Sequence, residues 1–158
     1  MPTRYLKLFI SIYFFQASVI AYGQSDKEVR TRELITSGNF IFKAQTALPS
    51  GGQAIQLTST YDLSISKDTI VAYLPYYGRA YSAPVGSAEG GIKFTSSKFD
   101  YKIKERKKGG WEIIINPKDE REVQQIYLTI SSSGYANLQV INTNRQPISF
   151  NGYIMQPE

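Results

Sequence analysis

The stretch Lys98-Phe99-Asp100-Tyr101-Lys102-Ile103-Lys104-Glu105-Arg106-Lys107-Lys108-Gly109-Gly110-Trp111-Glu112-Ile113-Ile114-Ile115 reads as two strands and the turn between them. Phe99, Tyr101 and Ile103 alternate with Lys98, Asp100, Lys102 and Lys104, and Trp111, Ile113 and Ile115 resume the alternation beyond the glycine pair. A period of two sends successive side chains to opposite faces, so each arm has one apolar face and one wet face. Two glycines between such arms predict an antiparallel hairpin. The lysines around the turn suit an acidic polymer or an anionic membrane surface, but Glu105 breaks the block. A solvated tip whose charges keep a strand edge from pairing with other chains is the simpler reading. Trp111 is in phase with Ile113 and Ile115, which assigns it to the core.

The same period runs outward in both directions. Phe40/Phe42/Ala44, Tyr61/Leu63/Ile65, Ile126/Leu128/Ile130, Ala136/Leu138/Val140 and Ile148/Phe150/Gly152/Ile154 each mark one face of a strand. Thr69 to Leu74 is apolar on both faces and is expected to lie centrally. Turn residues separate the runs at Pro49-Ser50-Gly51-Gly52, Lys67-Asp68, Pro117-Lys118-Asp119, Ser133-Gly134 and Asn144-Arg145-Gln146-Pro147. The expectation is an all-β, mainly antiparallel meander of about eight or nine strands, curled into a barrel or folded into a sandwich to bury its apolar face. One short helix is expected near the start of this domain. Ser25 with Glu28 three residues on forms a capping box, and Gly38 ends the segment. Its apolar positions, Val29, Leu34 and Ile35, make only a weak stripe, so the helix should pack lightly.

Before that helix the chain carries an export signal. Arg4 and Lys7 precede the apolar run Leu8 to Ile20, and Ala21-Tyr22-Gly23 offers small residues at the positions a signal peptidase reads. The run is shorter than the ~20 residues that span a hydrocarbon core, which favours a cleaved signal peptide (1–23) over an uncleaved anchor. No cysteine follows it, so a lipid-anchored form is excluded. Residues 24–158 then form a single domain large enough to bury its own core. Having no cysteine, it does so without disulfides, which points to a bacterial periplasm or cell surface rather than a disulfide-forming eukaryotic pathway. The net charge of +5 falls to +3 once Arg4 and Lys7 are removed, too mild for a nucleic-acid binder. No stable membrane insertion is expected after cleavage.

With no histidine and no cysteine, Ser-His-Asp and Cys-His catalysis, the usual zinc ligand sets and haem or iron–sulfur ligation all drop out. Asp119, Glu120 and Glu122 remain as a possible carboxylate pair, but with Lys118 and Arg121 beside them they read as a solvated turn. No calcium-loop spacing and no phosphate cradle occur, so no metal, no cofactor and no catalytic residue is assigned. A non-enzymatic protein is expected, with a carboxylate hydrolase as a distant alternative.

The segment Tyr73-Leu74-Pro75-Tyr76-Tyr77-Gly78-Arg79-Ala80-Tyr81-Ser82-Ala83-Pro84 holds a third of the twelve tyrosines. Tyrosine offers contact area and hydrogen bonding with few torsions to freeze, so this loop is the best functional surface in the chain. Tyr76, Tyr77 and Tyr81 are the expected stacking or hydrogen-bonding contacts, and Arg79 the partner of a carboxylate or phosphate. Gly78 suits a turn with positive φ, and Ser87, Glu89, Gly90 and Gly91 extend the rim. Two functions fit: an envelope protein holding a small or polymeric ligand, or a structural or protein-interaction module docking an envelope partner. In the competing structural reading the loop is a lid, its tyrosines plugging the barrel end and Arg79 tied to carbonyls or a ring.

That segment, with Gly90-Gly91-Ile92-Lys93-Phe94, Gly134-Tyr135-Ala136 and Asn144-Arg145-Gln146-Pro147-Ile148-Ser149-Phe150-Asn151-Gly152, resembles the exported family catalogued as domain of unknown function 4251, found in Bacteroidota. The resemblance runs from about Glu33 to Ile154. It implies a cell-envelope or secreted protein of a Gram-negative bacterium, and it carries over no activity and no catalytic residue.

Overall fold

The computed structural model describes residues 26–81 and 90–157; the signal segment, the Ser25 cap and the loop positions Ser82 to Glu89 lie outside the described residues. A helix, α1, covers 26–37. Nine strands follow: β1 (Phe40–Pro49), β2 (Ile55–Ile65), β3 (Ile70–Leu74), β4 (Ile92–Ser96), β5 (Phe99–Glu105), β6 (Trp111–Pro117), β7 (Val123–Ile130), β8 (Tyr135–Asn142) and β9 (Ile148–Met155). They form one sheet in the order β4-β3-β2-β1-β9-β8-β7-β6-β5, a nearly closed barrel. The all-β, antiparallel expectation holds, as does the hairpin at Gly109-Gly110, where both glycines adopt φ of 85°.

One junction is not a hairpin. All eight neighbour pairs are antiparallel, so the terminal strands β4 and β5 run in the same direction. Only Ser97 and Lys98 separate them, which makes them two halves of one bent strand. The first half pairs with β3 and the second with β6, and this sharing draws the two edges of the sheet together. Strand β4 is not among the strands expected from the sequence, because its five residues alternate too briefly to stand out. Asp119 holds the bend. Its carboxylate accepts hydrogen bonds from the Ser96 hydroxyl, from Ser97 N at 2.9 Å and from Lys98 N at 3.2 Å, while Lys118 N donates to Lys98 O at 2.7 Å. Glu120 accepts from the backbone N–H groups of Arg121 and Glu122. The turn is solvated as expected, with Lys118, Asp119, Arg121 and Glu122 exposed, and it is also a structural clasp, because carboxylates beside unpaired backbone N–H groups satisfy donors that no strand reaches.

The inner face carries the residues that the alternation selects. Phe40, Phe42, Leu63, Ile113, Ile115, Ile126, Leu128, Leu138 and Phe150 are all buried in a single cluster, so the barrel interior is packed with side chains. Each such burial contributes roughly 1.5–3 kcal/mol. Two expectations fail. Strand β3 is next to the end of the sheet order, and its outward residues Val71 and Tyr73 are exposed. Its second apolar face is an outer patch, where the Tyr73 ring stacks on Tyr61 at 5.6 Å and lies under Lys93 Nζ at 4.9 Å. On β5 the apolar face is only half-buried at Phe99 and Tyr101 and opens to solvent at Ile103, because β5 has a strand neighbour on one side only.

Helix α1 covers one barrel end. Thr31 and Ile35 are buried and Leu34 partly so, whereas Val29 is exposed, in keeping with light packing. Arg32 pins the helix to the β5–β6 hairpin through Glu105 at 2.9 Å and over the Trp111 ring at 5.4 Å. Gly38, at φ 64°, terminates it.

Candidate functional site

The tyrosine segment lies at the barrel end away from α1. Tyr73 and Leu74 still belong to β3, and buried Pro75 ends the strand. The loop then zips onto the β8–β9 connection. Gln146 N donates to Arg79 O at 3.1 Å, Tyr81 N to Asn144 O at 2.8 Å, and Ala80 forms an isolated antiparallel bridge with Arg145. Tyr76 folds inward. Its hydroxyl stands 3.0 Å from Arg79 O and 3.1 Å from Gln146 O and donates its one proton between them. Tyr77 also packs against the core.

Gly78 is not at positive φ, contrary to expectation. It is needed for space, since a Cβ there would lie 2.6 Å from the Tyr76 hydroxyl that curls back over it.

The cation that ties this region together is Arg145, which the sequence reading treats as part of a turn. Its side chain is buried, donates to Gly91 O at 3.2 Å and to the Glu122 carboxylate at 2.8 Å, and lies over the Tyr76 ring at 5.3 Å. Burial pushes the Tyr76 hydroxyl above its ordinary pKa, and the Arg145 charge partly opposes the shift. The lid role considered for Arg79, a ring contact and carbonyl hydrogen bonds, is thus carried out by Arg145. The sequence offered one signal: Arg145 sits in a block that carries the family resemblance.

Of the four expected contact residues, Tyr76 and Tyr77 form the scaffold, and Arg79 and Tyr81 face outward. The Arg79 guanidinium has no hydrogen bond or ion pair among the described residues; only its backbone is engaged. Tyr81 is 72% exposed. The result is a cation and an aromatic ring presented on a backbone held by main-chain hydrogen bonds. The three acidic groups weighed as chemistry, Asp119, Glu120 and Glu122, are occupied by the bend, the turn and Arg145.

The family model described as Domain of unknown function (DUF4251) matches residues 22–154. The chain belongs to this family. Among solved structures, a DUF4251 family protein from Bacteroides eggerthii superposes with a TM-score of 0.66 at 17% identity, over 84% of this chain and 91% of that one. At that identity the likeness is one of fold. No curated protein matches the chain.

Proposed function

We propose that this DUF4251 domain is a non-enzymatic, exported protein of the cell envelope that binds through the loop 75–81, with Arg79 and Tyr81 as contact residues and Tyr76, Tyr77 and Arg145 as their support. The observation that carries this reading is the Arg79 side chain, without a hydrogen bond or ion pair among the described residues, on a backbone engaged at both its N–H and its C=O. A guanidinium held in place pairs with a carboxylate or phosphate at low ordering cost. Tyr81 adds an amphipathic ring beside it. The outward stance of both side chains favours a polymer or protein surface over an enclosed small molecule, so the alternative reading, an interaction module, uses the same two residues.

The test is co-sedimentation of purified, exported protein with isolated Bacteroidota cell envelopes. Saturable binding is expected, reduced at least about tenfold in affinity by Arg79→Ala or Tyr81→Ser, in line with the loss of a charge-assisted contact. Protease treatment of the envelopes abolishes binding if the partner is a protein and spares it if the partner is a polymer. Equal sedimentation of both variants and the natural protein sinks the proposal. Intact-mass analysis of the exported protein checks the export reading, with Gln24 expected as the first residue.

A further inference from the structure

A concave surface lies at the opposite barrel end, where α1 leans over the ends of β8 and β9. A groove of about 750 Å³ runs between Lys27, Arg30 and Leu34 of α1 and the stretch Ile154 to Pro157. It continues into a shallower depression of about 330 Å³ that shares Lys27, Ser133, Gly134 and Ile154 and is walled by Tyr135, Tyr153 and Gln45. The larger part alone lies within the size range of ligand sites. Strand β8 starts here at Tyr135 and ends near Arg145 at Asn142, so its eight residues place this groove ~25 Å from the Arg79 loop.

We propose that this groove binds an acidic oligosaccharide, independently of the Arg79 loop. Three observations converge on that class. Among the described residues Lys27 and Arg30 have no ion pair and Glu33 is the one carboxylate lining the groove, so an anion gains from entering. Tyr135 and Tyr153 are direct cross-strand partners, 65% and 37% exposed, and stand side by side as apolar faces with hydroxyl rims suited to sugar rings. The remaining walls carry short hydroxyl and amide groups, from Ser37, Asn39, Gln45 and Ser133. An acidic peptide has the charge but not the docking mode: β8 and β9 each have strands on both sides, so no backbone edge is open for strand addition.

Tetragalacturonate is the probe, titrated into the exported protein by calorimetry and followed by amide shift mapping. Millimolar or tighter binding is expected, with shifts confined to α1, residues 133–135 and residues 153–157. Lys27→Ala/Arg30→Ala and Tyr135→Ser are each expected to weaken it at least about tenfold, Arg79→Ala not at all. All these positions are solvent-facing, and an unchanged amide spectrum verifies each variant's fold. Absence of binding, shifts mapping elsewhere, or variants that bind as well as the natural protein overturn the proposal. Neutral maltotetraose binding equally well overturns the role of the cations, and tetraglutamate binding as tightly as the uronate overturns the saccharide assignment. Because Arg79 is outside this groove, failure here is distinguishable from failure of the loop reading.

Discussion

Two arginines at one barrel end have opposite duties, and only their surroundings tell them apart. Arg145 is buried against Glu122, Gly91 and the Tyr76 ring, so Arg145→Ala removes an ion pair, a carbonyl partner and a ring contact together. The Glu122 side chain is half exposed, which lets water take over part of its charge. The expected cost is about 2–3 kcal/mol, read from the shift of a urea unfolding curve. Arg79→Ala should move the same curve by less than about 0.5 kcal/mol, since among the described residues the guanidinium makes no hydrogen bond or ion pair that is lost. A large loss at Arg79 would make it a structural residue. Gly152 shows a different constraint: a Cβ there would sit 1.9 Å from Lys43 O across the β1–β9 pair, beside the register shift between Ala44 and Thr46. Gly152→Ala is expected to destabilise by at least about 3 kcal/mol in the same assay, because the obstacle is backbone and cannot swing aside.

The bent strand formed by β4 and β5 depends on a carboxylate that neither half contains. Hydrogen bonds from the Ser96 hydroxyl, from the N–H and hydroxyl of Ser97 and from its own backbone hold the Asp119 pKa down at about 2, against an ordinary 3.8. A lowered pKa means that the folded state binds fewer protons than the unfolded state between these values, so stability rises with pH across the interval. The contribution is complete above the ordinary carboxylate range and is lost as pH falls through about 2. Asp119→Asn is therefore expected to flatten the decline in urea midpoint between pH 5 and pH 2 relative to the natural protein. Parallel declines would show that other carboxylates carry the acid sensitivity. The alternation in Phe99, Tyr101 and Ile103 marked β5 correctly as a strand, but periodicity says nothing of which strand lies alongside. The bend and its clasp join residues more than twenty positions apart, as the Ser96–Asp119 contact shows.

Across the whole molecule, stability should be layered. Strands β1 and β9 lie at the middle of the sheet order and share a long ladder, while α1 rests on the barrel through Thr31, Ile35 and the Arg32 contacts. Amide hydrogen exchange is expected to be slowest in β1, β8 and β9, at the rate set by global unfolding, and faster throughout α1 by local opening. Helix amides as protected as those of β9 would refute this layering. Every strand position but that of β4, most of the inward residues from Phe40 to Ile154, the helix with its Gly38 stop and most turns were legible in the sequence, because side-chain period and turn chemistry are local properties. The family was legible too, through its ordered blocks. The tertiary structure alone decided that β4 and β5 are one bent strand, that β3 is near the sheet's end, that Arg145 rather than Arg79 is buried, and that a groove opens under α1. Each of these depends on which distant segments meet, and a burial or an ion pair has no trace in the chain until both partners are brought together.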